Sequence, residues 1–342
     1  MNVLTTLLAL RLAGATAIGS RTIHERKPAS QGSWVRHDLI GQGPRQEHSV
    51  TSIDSDVYII GGVAYDGSGV PETLNRVEFY DTVDESWHIA APLPVQLNHG
   101  NSATVDGKIY VLGALSDGMD WVALNNSYVY QPFNDTWTAI TSMPNGTARG
   151  SSAVGAYNGK VFLAGGMTIL QAYQGGHQDS VSMVSSYDTL TEEWNTDYPP
   201  LPAPRQHVGG AVVGSHFYVV GGREHGIHQF HDTTYALDLE NPVEWKQMAP
   251  LPTARGSLAC AAVGWKIYCF GGEGNRKNPQ QIFDQTDVYD TETDSWETLT
   301  PMEVPRHGTG AVVIGKAVYI PGGGVTSAFY PSGVVDAYVV NA

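Results

Sequence analysis

Residues Val263–Gly272 read VGWKIYCFGG, the unit from which the chain is built. The unit contains an apolar strand, a two-residue turn, a second apolar strand and a pair of glycines. It occurs six times in 342 residues, and the first glycines of successive pairs lie 52, 52, 56, 50 and 51 residues apart. The pairs are Gly61-Gly62, Gly113-Ala114, in which alanine replaces the second glycine, Gly165-Gly166, Gly221-Gly222, Gly271-Gly272 and Gly322-Gly323. A period near fifty residues indicates repeats that pack on one another.

Each interior repeat also carries a tryptophan close to its end: Trp87, Trp137, Trp194, Trp245 and Trp296. A tyrosine precedes most of these tryptophans by seven residues: Tyr80, Tyr130, Tyr187 and Tyr289. Leu237 takes the tyrosine position in the fourth repeat. The pattern predicts four short strands per repeat, two flanking a hairpin, one with the tyrosine and one with the tryptophan. Turns such as Asp106-Gly107 and Asn158-Gly159 tolerate the positive φ of two-residue hairpin loops.

The sixth repeat lacks a fourth strand. It begins at Arg306, and its third strand contains Tyr338, with no tryptophan after it. The segment Ser33-Trp34-Val35-Arg36 matches Ser295-Trp296-Glu297-Thr298 of the fifth repeat. We therefore predict that the N-terminal strand completes the sixth repeat and closes a ring, which would remove the open sheet edges.

A glycine pair followed by spaced tyrosine and tryptophan, repeated about every fifty residues, resembles the kelch repeat. The resemblance covers residues 33–342. It implies an all-β, six-bladed β-propeller with four-stranded blades, in which the first strand of each blade is innermost. Kelch propellers have unrelated functions, so the fold does not identify an activity.

The first residues have the character of a signal peptide. Leu4–Leu12 is a short apolar run, and Ala15-Thr16-Ala17 offers small residues at a spacing that suits cleavage. We therefore predict a signal peptide at residues 1–17 and a linker or pro-segment at 18–32, in which Arg26-Lys27 is a candidate processing site. Three Asn-x-Ser/Thr glycosylation sites agree with secretion: Asn125, Asn134 and Asn145.

The formal net charge of −15 disfavours binding to nucleic acid or to anionic membranes. After the N-terminal segment no apolar run approaches the roughly 20 residues of a membrane span. We therefore expect a monomer with neither nucleic-acid nor membrane partners.

The two cysteines, Cys260 and Cys269, flank the turn at Gly264-Trp265 symmetrically. Counting outward from the turn places them opposite each other at a non-hydrogen-bonded pair, where Cα atoms lie about 4.5 Å apart. In a secreted protein this favours a disulfide over the alternative of two buried thiols. The closed loop is short, so the expected stabilisation is small.

Chain topology places the loops after the glycine pairs on the same face as the segments that precede the first strands. Five arginines in those segments lie sixteen residues before the first glycine of their pair: Arg45, Arg149, Arg205, Arg255 and Arg306. Leu97 has the sixth position. Four histidines lie beside them: His48, His99, His207 and His307. The resemblance implies that these side chains surround the mouth of a central channel and contact acidic ligands. The alternative is that the arginines are structural and donate to backbone carbonyls.

The loops on this face are rich in aromatic residues: Tyr65, Trp121, Tyr173, Phe230, Phe283, Phe329 and Tyr330. Aromatic side chains around polar groups suit a sugar or a small organic acid, and equally a protein interface. Packing of loop against loop is the alternative. The fourth loop contains three histidines, His225, His228 and His231, which form a weak metal-binding pattern. A solvated loop is the simpler interpretation, and we predict no metal or cofactor.

Enzyme motifs give little support for a specific reaction. The Tyr-His pair that the resemblance would require of a copper radical oxidase is absent from the sequence, as is the Glu-x3-Asp-x3-His pattern of iron-dependent kelch proteins. We therefore expect a secreted propeller that binds an anionic or carbohydrate small molecule, or an extracellular protein, through the arginine-rich face. The alternative is an isomerase or mutarotase-like enzyme in the same pocket, which would bury a titratable His or Glu against the arginines.

Overall fold

Six four-stranded antiparallel sheets form the body of the protein in this computed structural model, which describes residues 32–118, 120–171 and 176–341. The predicted signal peptide, most of the predicted linker and Tyr173 lie outside the described residues. Each sheet is one blade of a propeller, and the blades are numbered here along the chain. The all-β, six-bladed fold expected from the repeats is thereby confirmed.

Each blade runs outward from its first strand, with neighbouring strands consecutive in the sequence except in blade 6. The strands of blades 1 to 3 are Ser49–Ile53, Asp56–Ile60, Val77–Asp81 and Ser86–Ala90; Ser102–Val105, Lys108–Leu115, Asp120–Gln131 and Thr136–Ile140; and Ala153–Tyr157, Lys160–Ala164, Val184–Asp188 and Glu193–Asn195. Those of blades 4 to 6 are Gly209–Val213, His216–Val220, Thr234–Asp238 and Trp245–Met248; Ala259–Val263, Lys266–Phe270, Thr286–Asp290 and Ser295–Thr298; and Val312–Ile314, Ala317–Pro321, Val335–Val340 and Gly32–His37.

Shorter elements occur in the loops of the blades, most of them between the second and third strands. Val63–Tyr65 pairs with Pro71–Thr73, and Arg223–Glu224 pairs with Gln229–Phe230. Ile169–Gln171 of blade 3 pairs with the start of the third strand of blade 2. A 3-10 turn at Pro132–Asn134 precedes the fourth strand of that blade. No helix among the described residues is long and apolar enough to cross a membrane.

After its first residue each second strand is apolar, because both of its faces are buried. In blade 1, Val57 packs against blade 6, whereas Tyr58 and Ile60 pack against blade 2. Successive side chains of a strand point to opposite faces, so one strand contributes to two interfaces. Equivalent clusters of buried side chains fill the other interfaces between neighbouring blades.

The glycine pairs lie where each second strand leaves its blade and meets the next one. In blade 5, Gly271 and Gly272 have φ values of 59° and 107°, in the region that favours glycine. A Cβ on Gly271 would come within 2.1 Å of the carbonyl oxygen of Arg306 in blade 6. The N–H of Gly272 donates to that same carbonyl at 2.9 Å. The first glycine of each pair likewise lies so close to a carbonyl of the next blade that a side chain would not fit.

The N-terminal strand closes the ring as the sequence predicts. Gly32–His37 pairs antiparallel with Val335–Val340, and Trp34 lies opposite Tyr338. The same pairing joins Trp296 to Tyr289 in blade 5. The indole nitrogen of Trp34 donates to the carbonyl of Thr300, which lies after the outer strand of blade 5, at 3.0 Å. Four other fourth-strand tryptophans make the corresponding bond to the blade before them: Trp137, Trp194, Trp245 and Trp296.

The expected disulfide is present. Cys260 and Cys269 lie directly opposite each other on the first two strands of blade 5, with Cα atoms 4.2 Å apart. Cys260 also faces Gly209 on the first strand of blade 4, where a Cβ would approach its sulfur to 2.4 Å. The bridge therefore lies in the inner wall of the propeller, between two blades.

We predict that deletion of residues 33–40 destroys the cooperative unfolding transition, whereas deletion of residues 18–30 leaves the midpoint unchanged. The first deletion removes the outer strand of blade 6 and the buried Ile40, which exposes the edge at Val335–Val340. Thermal denaturation followed by circular dichroism measures both effects. Equal midpoints for the two deletions would contradict the closure role of this strand.

Candidate functional site

Six residues at the starts of the first strands form a closed ring of backbone hydrogen bonds. We call them the ring residues; they are Glu47, His99, Ser151, His207, Ser257 and Gly308. The N–H of each donates to the carbonyl of the ring residue in the preceding blade, and Glu47 donates to Gly308, at distances of 2.7–3.2 Å. All six have φ between 52° and 60°. Five of them are not glycine, so the backbone holds side chains in a conformation that they rarely adopt.

The ring surrounds one end of the central channel, a cavity of about 470 Å³ lined by the six first strands. Its wall consists mainly of small side chains such as Ser102, Ala156 and Gly210. Beside the ring, isolated bridges tie the residue after each arginine position to the residue after each glycine pair, as Gln206 pairs with Arg223. These bridges confirm that the first-strand starts and the loops after the glycines share one face. We call this side the top face and the channel end within the ring the mouth.

Three side chains of the ring converge at the mouth. The Nε2 atoms of His99 and His207 lie 3.1 Å apart, although the residues are 108 positions apart in the sequence. An Oε2 atom of Glu47 lies 3.1 Å from Nε2 of His99 and 3.8 Å from Nε2 of His207. All three residues line the channel.

A buried ion pair lies directly beside these histidines. Arg223, the residue after the glycine pair of blade 4, lies 3.0 Å from a carboxylate oxygen of Glu273, its counterpart in blade 5. The other nitrogen of its guanidinium lies 3.2 Å from Nε2 of His207 and 3.4 Å from Nδ1. Glu273 also accepts hydrogen bonds from Ser257 at 2.9 Å and from Ser327 at 3.3 Å. In blades 1 to 3 the same position holds Val63, Leu115 and Met167, so the charge is confined to one side of the mouth.

Burial determines the protonation of this cluster. It lowers the pKa of His99, with Glu47 opposing the effect, and together with Arg223 it holds the pKa of His207 well below its usual value. Burial alone would raise the pKa of Glu273, but Arg223 and His307 outweigh it and the pKa lies below its ordinary value. Both imidazoles are therefore neutral near pH 7 while Glu273 is a carboxylate.

The five repeat arginines do not surround the mouth, and this expectation from the resemblance is wrong. Arg45, Arg149, Arg205, Arg255 and Arg306 are all fully or almost fully buried. Their guanidinium groups turn back into their own blades. Four of them donate to backbone carbonyls, as Arg149 does to Gly165 at 2.8 Å and Arg306 does to Ile320 at 2.9 Å, and the fifth, Arg255, is paired with Asp287. The alternative expectation, that the arginines have a structural role, therefore agrees with the structure. A buried guanidinium needs nearby acceptors for its five N–H groups.

Each arginine also meets the third strand of its own blade, two residues before the tyrosine position. Arg45 contacts Glu78, Arg255 contacts Asp287 at 2.7 Å, and Arg306 contacts Asp336 at 2.8 Å. In blade 3 the partner is the hydroxyl of Ser185, and in blade 4 Arg205 lies 4.8 Å from the ring centre of Tyr235. Blade 2 has Leu97 and Tyr128 at these two positions and thus neither charge.

The remaining predicted histidines lie apart from the convergent pair. His48 hydrogen-bonds with the carbonyl of Pro321 at 3.0 Å, and burial lowers its pKa to about 3. His307 hydrogen-bonds through Nδ1 with the carbonyl of Gly324 at 3.0 Å. In the fourth loop, His225 and His231 lie on either side of Glu224, at 3.4 Å each, and His228 is exposed. Among the described residues only Glu47, His99 and His207 bring three metal-binding groups together.

The aromatic side chains divide between the mouth and the loops. The indole of Trp121 lies 5.6 Å from the ring of His99, next to the convergent cluster. Tyr65 packs edge-on against Phe329 at 4.7 Å, and Phe230 packs against Gly274 of the next loop. Phe283 is buried, whereas Tyr330 is exposed. Packing of loop against loop accounts for several of them, as the alternative interpretation states.

Glu47 and Glu273 were not singled out by sequence reasoning, although a signal for Glu47 was present. Glu47, His99 and His207 each lie fourteen residues before the first glycine of their pair, whereas His48 and His307 lie thirteen and fifteen residues before theirs. Shared register therefore separates the convergent histidines from the others. Glu273 and Arg223 also share a register, since each directly follows its glycine pair, but that register alone does not show that the two side chains meet.

Comparisons with known proteins agree with this architecture. Residues 44–94 match the Kelch motif, and residues 170–324 match the KLHDC2/KLHL20/DRC7 Kelch-repeats domain. The chain is 37% identical over 298 residues to Kelch-like protein terF of Aspergillus terreus, and the match covers 86% of this chain. It is 28% identical to Kelch-like protein 25 of Xenopus tropicalis over 75% of this chain, and 24% identical to Beta-scruin of Limulus polyphemus over 79%. The matched region spans 64%, 41% and 29% of the lengths of these three relatives.

We predict that Asp287→Ala lowers the free energy of unfolding by about 3–5 kcal/mol, because it leaves the buried Arg255 without its counterion. The double variant Arg255→Leu/Asp287→Tyr, which copies the residues of blade 2, should recover a large part of this loss. Urea denaturation of the three proteins measures both changes. A single variant as stable as the native protein would show that the ion pair does not hold blade 5 together.

Proposed function

Because the chain belongs to the kelch-repeat family and closes into a six-bladed propeller, we propose that it is a binding protein which takes a small carbohydrate ligand at the mouth of its channel. The observation that carries this proposal is the polar cluster of Glu47, His99, His207 and Arg223, which blades 1, 2 and 4 bring together at the mouth. Residues that serve only packing recur in most blades, as the glycine pairs do. The residues of this cluster differ from those at the same positions of the other blades.

The arrangement of groups suits a polyhydroxylated molecule. A carboxylate, two neutral imidazoles and a guanidinium offer acceptors and donors in fixed positions, and Trp121 provides an apolar surface beside them. The channel volume of about 470 Å³ is within the range of small-ligand sites. Sugars are recognised by this combination of hydrogen bonds and one aromatic face.

A simple anion is less well supported than a neutral sugar. The five arginines that would attract an anion are buried in their own blades. At the mouth, Arg223 is offset by Glu273, and Glu47 is also present. If the ligand is a sugar acid, its carboxylate would have to approach from the side of Arg223.

A protein partner is the second candidate, and exposed apolar side chains on the loops of the top face favour it: Tyr65, Val70, Val122, Ile227 and Tyr330. These side chains lie on the loops of the top face and are not part of the polar cluster. Solvent-exposed apolar residues on one face are typical of protein interfaces.

A thermal-shift screen tests the proposal with neutral sugars, uronic acids, sialic acids and inorganic phosphate. We expect at least one sugar to raise the midpoint of the native protein and of Trp265→Ala, whose side chain is exposed at the opposite end of blade 5, but not that of Trp121→Ala. An enzyme in the same pocket would also change the ring form of the bound sugar, which NMR detects. The absence of any sugar-dependent shift would refute the proposal and leave the protein partner, whose binding Tyr330→Ala should weaken.

We also propose that the protein is exported. The side chains of Asn125, Asn134 and Asn145 are all exposed, as glycan attachment requires, and the chain contains a disulfide. Expression in a secreting eukaryotic host should yield protein in the medium that lacks residues 1–17 and loses mass on treatment with an N-glycosidase. The variant Asn125→Gln should lose one glycan. Full-length, unglycosylated protein confined to the cells would contradict export.

A further inference from the structure

We propose that Glu47, His99 and His207 bind a divalent transition-metal ion of the zinc type at the mouth of the channel. Two imidazole nitrogens and one carboxylate oxygen would supply three of the four ligands of such a site, and all three residues line the channel. The proposal goes beyond carbohydrate binding, because the three side chains converge whether or not a sugar is present.

The distances between the three ligand atoms match a tetrahedral site. Zinc bonds of about 2.0–2.1 Å to nitrogen and oxygen place neighbouring ligand atoms about 3.3 Å apart. The two Nε2 atoms are 3.1 Å apart, and Oε2 of Glu47 lies 3.1 Å and 3.8 Å from them. A single ion at the centre of this triangle can therefore reach all three atoms with little movement.

The proton positions of both histidines leave their Nε2 lone pairs directed at that centre. Nδ1 of His99 lies 2.6 Å from Oδ1 of Asn98, and the amide nitrogen of Asn98 donates to Thr73 and Ser116. The oxygen of Asn98 therefore faces the imidazole and accepts its proton, so that Nε2 is unprotonated.

The same arrangement recurs at His207. Its Nδ1 lies in hydrogen-bond contact with Oε1 of Gln206, and Nε of Arg223 donates to this oxygen at 3.3 Å. The oxygen again accepts the Nδ1 proton, which leaves Nε2 as an acceptor. Metal-binding histidines in proteins usually donate their second ring nitrogen to an oxygen in this way.

Three acceptor atoms thus face one another with no proton assigned between them. Two unprotonated imidazole nitrogens at 3.1 Å, next to a carboxylate, repel one another unless a cation lies among them. A bound divalent cation resolves the arrangement without a buried imidazolium.

The charges next to the proposed site are compatible with a bound divalent cation. One terminal nitrogen of Arg223 lies 3.2 Å from Nε2 and 3.4 Å from Nδ1 of His207, within hydrogen-bond distance of both. Its positive charge is matched by Glu273 at 3.0 Å. Glu47 is then the carboxylate that remains for the ion.

The backbone ring makes the three ligands rigid. Each ligand residue is held at positive φ by a donated and an accepted backbone hydrogen bond to its neighbours in the ring. The ligand atoms therefore do not depend on a flexible loop for their positions, in contrast to His225 and His228, which are exposed in the fourth loop. Such preorganisation favours affinity and a defined geometry.

The test is metal binding by chelator-treated full-length protein, measured by calorimetry with Zn²⁺ and by the visible absorption of bound Co²⁺. We expect one ion per chain, Co²⁺ bands of the intensity typical of four-coordinate sites, and a higher thermal midpoint with Zn²⁺. His99→Asn and His207→Asn should each weaken Zn²⁺ binding by more than about 100-fold, since loss of a direct ligand costs more than loss of an outer partner.

Asparagine is chosen because it tolerates positive φ better than most residues and offers no imidazole. Ser151→Asn is the matched control, since Ser151 is a ring residue with the same backbone conformation that contributes no ligand atom. Its Oγ accepts a hydrogen bond from the N–H of His207 at 3.1 Å, and asparagine also offers an acceptor oxygen, so this variant should bind Zn²⁺ like the native protein. His228→Asn is the control for the exposed loop. Unfolding midpoints of the metal-free variants show whether each has folded.

The proposal is overturned if folded native protein takes up no Zn²⁺ or Co²⁺, or if His228→Asn removes binding and His99→Asn does not. Loss of binding in Ser151→Asn would also contradict it. Repeating the sugar screen with and without Zn²⁺ separates the two proposals. A metal ion bound with no sugar-dependent shift defeats only the carbohydrate ligand, and a sugar shift without a bound ion defeats only the metal site.

Discussion

The propeller depends on a closed circuit of six backbone hydrogen bonds at the starts of its innermost strands. Each bond joins neighbouring blades, so the circuit fixes the number of blades and the radius of the channel together. Its geometry requires every ring residue to have positive φ, which costs free energy at the five that are not glycine. Strained residues persist where the surrounding structure holds them, and they are common at functional sites. The convergence of Glu47, His99 and His207 is a direct result, because a left-handed residue directs its side chain into the mouth.

The buried arginines show that one repeat pattern is compatible with two roles, ligand binding and packing within the blade. Their fixed register indicates a shared role, but register does not reveal the direction of a long side chain. The structure shows that each guanidinium ties the start of the first strand to its own blade, through Glu78, Asp287 or Asp336 in blades 1, 5 and 6. Blade 2 replaces both partners, with Leu97 and Tyr128, which is the expected outcome when an ion pair serves only packing. Charge in a repeat position is therefore weak evidence for ligand binding unless its partner is also considered.

The fold followed from the sequence because every local signal agreed with it. Glycine pairs, turn residues and the tyrosine–tryptophan spacing recur six times, and the match of Ser33–Arg36 with Ser295–Thr298 identified the closing strand. The site was only partly predictable. His99 and His207 were named, but they were grouped with His48 and His307, whose registers differ by one residue and whose side chains bond with other parts of the top face. Glu273 has the same register as Arg223, directly after a glycine pair, but the contact between the two side chains depends on three-dimensional packing.

Ring closure also has a consequence for how the protein is made. The strand Gly32–His37 leaves the ribosome early, yet its pairing partner Val335–Val340 is synthesised about three hundred residues later. Until then the early strand has an unpaired edge, and the sixth sheet cannot form. Pairing between such distant segments folds slowly and exposes intermediates to aggregation. The segment up to Val340 must therefore be translated before the ring of six blades can close.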